Sequence, residues 1–489
     1  MTRQDPSPSW QAVADWLCSG AGGALAVDRV IETHCALVVL AGERAFKLKK
    51  PVELGYLDFS TAERRAWAIE RELRLNKPMA PDVYRALHSI TCGSDGQLKL
   101  GGGGAVVEWA LEMRRFDEAA VLSNRPDQVQ GDLAEALGRT IARIHARADL
   151  RPNGGGAKGL GYTITSNAEL LLGLGDHLGA ESVEALIAAT DAELAAQAAL
   201  LDHRQSLGLG RRCHGDLLLG NLLFEDGQPV LFDCIEFNDL LSDADIQYDL
   251  AFLLMDLRFR GNQSGAVRVL SGYLDQAARD FGDAVFEGLA SLPLMLAVRA
   301  GVRAHVSAHM NQIDLAKAYV QAGLDHLKPR APRLLAIGGL SGSGKSHTAR
   351  KLAPDLGAVI LRSDEVRKRL WGVEPLQALP PEAYGPDQSQ RVYDRMRHEA
   401  ALILKAGQSV VLDAVFLKPE ERDAARALAA EHGAAFQGIW LEAPTDVLAA
   451  RIAARTGDAS DADGAVLARQ LDQDPGPIDW IYRSSASGH

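Results

Sequence analysis

The sequence predicts a two-domain α/β protein: an α+β first domain over residues 1–328, a linker at 329–333, and a parallel-sheet α/β second domain over 334–489. Three observations predict it. The first hundred residues set short apolar runs and turns around one charged helix, the texture of a β-sheet with a helix against it. Beyond residue 333, apolar strands alternate with helical segments, the pattern of a parallel sheet. Between them, Lys328-Pro-Arg-Ala-Pro-Arg333 puts two prolines close together, which ends a helix and marks a linker.

The elements follow in order. Residues 36–40 are an apolar run, 41–44 a turn, and 45–49 alternate, so 29–50 reads as strand, turn, strand. Residues 61–77 read as an amphipathic helix stopped near Pro78. A glycine run at 101–104 predicts a hairpin joining 98–100 to 105–111. From 132 to 148, Leu133, Leu137, Ile141 and Ile144 share one helical side, and 182–204 is helical again. Asp226-Gly227 predicts a tight hairpin between 221–225 and 229–233. More helices fill 245–328. In the second domain the strands are 334–338, 358–361, 409–412 and 437–441.

Apolar residues make up 47% and charged residues 24% of 489, enough for more than one core. The net charge of −12 argues against general nucleic-acid binding, which needs a basic face. Five scattered cysteines form no Cys-x-x-Cys pair, so neither a zinc site nor a disulfide framework is expected, and a reducing cytosol fits best. The most apolar stretch, 289–306, is interrupted by Arg299 and Arg303 and reads as a buried helix, not a membrane span. The expectation is a cytoplasmic protein with no nucleic-acid or membrane partner; its oligomeric state is open.

Gly339-Leu-Ser341-Gly342-Ser343-Gly344-Lys345-Ser346 is a complete G-x-x-x-x-G-K-S loop, after a strand and before a helix that begins near His347. Its glycines let backbone N–H groups converge on phosphate oxygens at the positive end of a helix. Lys345 reaches the β- and γ-phosphates of ATP, and Ser346 offers its hydroxyl to Mg²⁺. Next comes Arg362-Ser-Asp364-Glu-Val-Arg367. It resembles the D-x-x-R element of small-molecule P-loop kinases such as adenylylsulfate kinases and zeta-type toxins. That resemblance implies that Asp364 faces the acceptor hydroxyl and Arg367 holds substrate or phosphate. Ser363 or Asp364 can also act simply as a helix N-cap. Asp413, closing an apolar strand, resembles a Walker-B acid that supports Mg²⁺. Arg451 and Arg455, beside the Gly/Asp/Ser segment 457–464, resemble lid arginines that stabilise charge on a transferring phosphoryl group.

The first domain carries His214-Gly-Asp216-Leu-Leu-Leu-Gly-Asn221, which matches H-x-D-x-x-x-x-N. Asp and Asn stand five apart, as in the protein-kinase catalytic loop. Asp216 would accept the substrate hydroxyl proton, Asn221 would hold Mg²⁺, and Asp233 would supply a second metal carboxylate. His214 braces the loop.

With Thr33-His34, Ala45-Phe-Lys-Leu-Lys-Lys-Pro51, Leu57-Asp-Phe-Ser60 and Asp233-Cys-Ile-Glu-Phe237, this half resembles the aminoglycoside phosphotransferase-like kinases, which include choline and fructosamine kinases. The fused pair resembles bacterial bifunctional aminoglycoside phosphotransferase/ATP-binding proteins. The resemblance implies a protein-kinase-like first domain and a P-loop kinase second domain. It implies that Lys47 pairs with the α/β-phosphates, with Lys49 the alternative on the same strand face, and that Glu72 or Glu70 is the lysine's partner. It makes residues 108–113 a candidate adenine hinge. No G-x-G-x-x-G precedes Lys47, so phosphate covering comes from 33–36 or is weak. Asp239, Asp243 and Asp245 are candidates for an acidic acceptor pocket, although turns and caps use the same residues.

The function expected is transfer of the ATP γ-phosphoryl group to small hydroxylated acceptors by two Mg²⁺-dependent modules. The alternatives are a regulatory ATPase acting on the first domain, or a toxin-like nucleotide-sugar kinase.

Overall fold

A computed structural model describes residues 8–54 and 57–485. By compactness the chain divides into Met1–Arg125 with Arg212–Ala244, and Pro126–Arg211 with Asp245–His489.

The first unit is built on a six-stranded sheet. Its order is Arg29–Glu32, Ala36–Ala41, Arg44–Lys49, Ala105–Arg114, Tyr84–Cys92, Leu98–Leu100, antiparallel throughout. The 29–50 region therefore gives three strands, not two. The helix Ala62–Asn76 starts where Thr61 Oγ1 accepts the Arg64 N–H, 3.3 Å. It buries Arg65, Ala68, Ile69, Glu72 and Asn76, a helical stripe turned to the sheet. Ile69 packs there with Tyr84, Leu111 and Leu223.

Two further readings are corrected. The strands Leu98–Leu100 and Ala105–Arg114 do not pair as a hairpin; Tyr84–Cys92 lies between them and pairs with both. That strand mixes polar and apolar residues and slips register at Tyr84/Ala86 and Ile90/Thr91, so its period is broken. Residues 108–113 lie inside the strand Ala105–Arg114, their backbone paired to neighbouring strands. The hairpin Leu222–Glu225/Gln228–Leu231 forms as the turn chemistry predicts, with φ +50° at Asp226 and +76° at Gly227.

The second unit opens with a helical bundle. Its helices Gly131–Arg147 and Gln263–Phe281 approach very closely. A Cβ on Gly138 would meet the Val269 carbonyl oxygen at 2.1 Å, and one on Gly272 the Glu135 carbonyl oxygen at 2.6 Å, so only glycine fits. The stretch Ala284–His309 is long and apolar enough to cross a membrane, but 78% of its most apolar window is buried in the structure, as in a core helix.

Five parallel strands follow, in the order Val359–Arg362, Val410–Asp413, Arg333–Gly339, Ala435–Glu442, Ile481–Ser484. The last is an exposed edge strand that the sequence pattern did not reveal. The first strand in sequence is central, so the chain leaves it in opposite directions on its two sides. Such a switch point opens a crevice at the carboxyl ends of the strands.

Candidate active sites

The first candidate site lies wholly in the first unit. Lys47 and Lys49 alternate on one face of the strand Arg44–Lys49, and both meet Glu72. Lys47 Nζ lies 2.7 Å from Glu72 Oε1 and 2.8 Å from Asp233 Oδ1. Lys49 Nζ lies 2.7 Å from Glu72 Oε2 and 2.5 Å from Glu236 Oε1. Glu72 is fully buried, whereas Glu70 is exposed. Burial would depress the Lys47 ammonium, but Asp233 and Glu72 outweigh it and hold its pKa well above the usual lysine range. Burial would raise Asp233, and Lys47 outweighs that and lowers it.

The acid is fixed from several sides. Asp233 has φ +60°, a left-handed backbone uncommon outside glycine. Its N–H donates to Tyr84 Oη at 3.1 Å, and the next N–H, of Cys234, donates to Asn76 Oδ1 at 2.8 Å. His214 Nε2 donates to the Phe232 carbonyl at 2.9 Å, and Ile235 N–H to the His214 carbonyl at 2.9 Å, so this histidine braces the loop against Asp233. Asn221 Nδ2 donates to both the Asp216 carbonyl and Asp216 Oδ2, each at 2.8 Å.

The candidate acidic pocket is engaged otherwise. Asp239 is bonded to Arg71 and Arg212, Asp243 lies 3.6 Å from Arg212, and Asp245 takes both arms of Arg204 at 2.8 Å.

The second site is a cleft of about 660 Å³. Ser341, Gly342, Gly344, Lys345, Ser346, His347, Asp364, Arg367, Asp413, Arg451 and Arg455 all line it. Gly339 and Ser343 do not: Gly339 turns at φ +138° and donates to the Val415 carbonyl, and Ser343 is buried. Gly344 takes φ +88° immediately before the helix Lys345–Leu356. Lys345 Nζ donates to the Leu340 carbonyl at 3.0 Å. Burial is the main cause that lowers its pKa; Arg455 and Arg362 add to it against Asp413 and Asp364. Arg451 donates to the carbonyls of Gly342 and Ser485. Arg367 donates to the Ala383 carbonyl and lies over the Tyr384 ring, 4.9 Å from its centroid.

Sequence reasoning missed Arg362. It is 5% exposed, and its guanidinium lies 3.2 Å from Ser346 Oγ, 3.4 Å from Asp413 Oδ2 and 2.9 Å from Asp458 Oδ2. Burial would lower its pKa, but Glu365, Asp458 and Asp413 outweigh it and raise it. The available signal was a charged residue closing an otherwise apolar strand. Asp458 and Asp461 were also missed as separate residues: Asp461 takes Lys368 Nζ at 2.5 Å and the Tyr384 hydroxyl, tying the 457–464 segment down.

Both donor sets fit a nucleotide with a divalent cation. In the cleft, among the described residues, Arg455 Nη1 is buried with no hydrogen-bond partner, beside a lysine that bonds a carbonyl alone, an arrangement suited to an anion. Ser346 with Asp413, and Asn221 with Asp233, offer the oxygen ligands that a hard cation takes.

A lysine–glutamate pair under an antiparallel sheet, with an H-x-D-x-x-x-x-N loop, defines a kinase-like fold; a glycine loop at the mouth of a parallel sheet defines a P-loop fold. Residues 60–285 match the phosphotransferase enzyme family, and residues 334–475 match the AAA domain family. An uncharacterized protein of Mycobacterium tuberculosis is 34% identical over 469 residues, covering 91% of each chain. The chain belongs to the family of that protein, and in this chain a phosphotransferase-family match is followed by a P-loop domain. The adenylyl-sulfate kinase of Myxococcus xanthus is 34% identical over 122 residues, 24% of this chain and 62% of its own. Among solved structures, the choline/ethanolamine kinase family protein of Mesorhizobium loti is 14% identical, over 63% of this chain and 92% of its own, with a TM-score of 0.37. The two fold classes expected from the sequence are borne out.

Proposed function

We propose that the chain is an ATP- and Mg²⁺-dependent phosphotransferase with two sites, each transferring a γ-phosphoryl group to a hydroxyl of a small molecule. The domain of the first site runs over 1–328 and that of the second over 334–489, joined by 329–333. The observation that carries the reading is that one cleft brings Lys345 and Ser346 of the phosphate loop together with Asp364 and Arg367. Phosphate-holding and acceptor-holding groups then share one space, as in-line transfer requires.

At the second site Asp364 accepts the acceptor's hydroxyl proton while its oxygen bonds the γ-phosphorus and the bond to the β-phosphate oxygen breaks. Lys345 and the loop amides hold the phosphates, and Arg367, Arg451 and Arg455 oppose the charge of the transferring group. At the first site Asp216 takes the proton, Asn221 fixes its carboxylate, and Lys47, held by Glu72, meets the phosphates. Ser346 and Asp413 at one site, and Asn221 and Asp233 at the other, would hold magnesium, which would neutralise phosphate charge. The adenylyl-sulfate kinase likeness supports a small-molecule acceptor for the second site. Five free thiols support a cytoplasmic setting.

The test is transfer from ATP with Mg²⁺ to a panel of sugars, amino-sugars, nucleosides and aminoglycosides, by the full chain and by Asp216→Ala and Lys345→Ala. Each substitution should abolish transfer to one acceptor class. If neither lowers transfer while ATP still binds, the reading is wrong. A second reading, in which the P-loop domain senses nucleotide for the first site, draws on the ion pairs that tie it to the helical bundle. It predicts Lys345-dependent ATP turnover with no phosphorylated small product.

A further inference from the structure

The helix Ser363–Leu370 has two working faces. Asp364 and Arg367, three apart, line the cleft. Glu365 and Arg369, four apart, turn to the helical bundle. Arg369 takes Asp275 at 3.0 Å and Glu399 at 2.5 Å. Glu365 takes Arg139 Nη2 at 2.9 Å. The other arm of Arg139 is bonded to Asp275. The close helix approach at Gly138 and Gly272 brings Arg139 to Asp275.

The connection continues inward. The same Glu365 Oε1 accepts Arg362 Nη1 at 3.3 Å, and Arg362 reaches Ser346, Asp413 and Asp458. Asp275, Arg139, Glu365 and Arg362 are each at least nine-tenths buried. They form an unbroken line of alternating charge from a bundle helix to the phosphate loop. The strand carrying Arg362 is an edge strand, and the bundle covers it: Ile360 N–H donates to Ser271 Oγ at 3.0 Å.

We propose that Arg139, on the bundle helix Gly131–Arg147, is a positioning residue of the phosphate-loop site. It holds Glu365, Glu365 holds Arg362, and Arg362 sets Ser346, Asp413 and the Asp458 segment. The helical bundle thereby completes the phosphate-loop site packed against it. Without Arg139, the buried Glu365 carboxylate keeps one cation, Arg362, and draws it from the phosphate loop. The inference rests on the kinase reading of that cleft.

The test uses the full chain with Asp216→Asn as parent, so that ATP hydrolysis, with water as acceptor, reports the second site. Arg139→Ala should lower kcat about tenfold while KM for ATP moves less than about threefold, the split expected of an interaction used mainly in the transition state. Arg139→Lys should recover part of kcat, because one ammonium replaces a two-armed fork. Arg143→Ala removes an exposed ion pair with Glu374 elsewhere on the same bundle helix and should change neither constant. Unchanged kcat in Arg139→Ala, or an equal loss in Arg143→Ala, overturns the proposal. Should Lys345→Ala fail to lower turnover, the kinase reading falls separately, and hydrogen exchange decides the positioning. Faster exchange at 340–346 and 363–370 in Arg139→Ala but not in Arg143→Ala supports it; equal exchange overturns it.

Discussion

At the first site the lysine is bonded to acids; at the second it is bonded to a carbonyl and faces acids and bases together. Lys47 is 13% exposed and ion-paired to both Glu72 and Asp233. Among the described residues Lys345 bonds one partner, a carbonyl, with Asp413, Asp364, Arg455 and Arg362 nearby. The first site stores its counter-charge in the protein, so a nucleotide there must compete with carboxylates for the lysine. The second leaves positive charge unspent, and an incoming phosphate supplies what it lacks. On the proposed reading the two lysines are prepared differently: one is ion-paired before binding, the other is left for the nucleotide to pair.

The sharpest way to break this comparison is to remove each lysine. Lys345→Ala should weaken nucleotide binding at the second site by about 10²-fold or more, the scale of losing a charged donor to a phosphate. Lys47→Ala should lower the first site's rate while its affinity falls less than about tenfold. Calorimetric titration separates the two, and the reverse ranking removes the contrast. Next in size, Glu72→Gln leaves two buried lysines short of an acid and should cost about 3–5 kcal/mol in urea unfolding. Asp413→Asn should cost far less, because Arg362 keeps Asp458 and Glu365. Gly344→Ala forces a side chain into φ +88° and should cost about 1–2 kcal/mol in the same assay, with weaker nucleotide binding.

The smallest effect is on the pH profile of stability, and it has opposite signs at the two lysines. The folded pKa of Lys47 lies above 10.5, so its contribution is complete below pH 10.5 and is lost as pH rises beyond it. The folded pKa of Lys345 lies below 10.5, so its buried charge costs stability at neutral pH, and that cost is relieved as pH rises toward 10.5. Relative to wild type, Lys345→Met should be the more stable at pH 7, and Lys47→Met the less stable. Melting curves across pH 7–11 measure both, and slopes of one sign contradict the assignment.

The parts legible in the sequence were local. The Asp226-Gly227 turn, the phosphate loop, the Asp216–Asn221 spacing and the helix 61–77 each depend on residues a few positions apart. What stayed hidden depends on distant partners. The choice of Glu72 over Glu70 is made by which side of a helix faces a sheet. Arg139 and Glu365 stand 226 residues apart, and no periodicity joins them. Tyr84–Cys92 was obscured by its register slips, and Ile481–Ser484 by being exposed along its whole length. Arg362 looked like the end of a strand, and only the packed site reveals it as the hub between Ser346 and Asp458.

The central claim is that one chain holds two separate nucleotide sites. Equilibrium dialysis of the full chain with Mg²⁺ and a non-hydrolysable ATP analogue tests it most directly. The account predicts two nucleotides bound per wild-type chain, and one in Lys345→Ala. One nucleotide per wild-type chain, or two retained in Lys345→Ala with unchanged affinities, would contradict it.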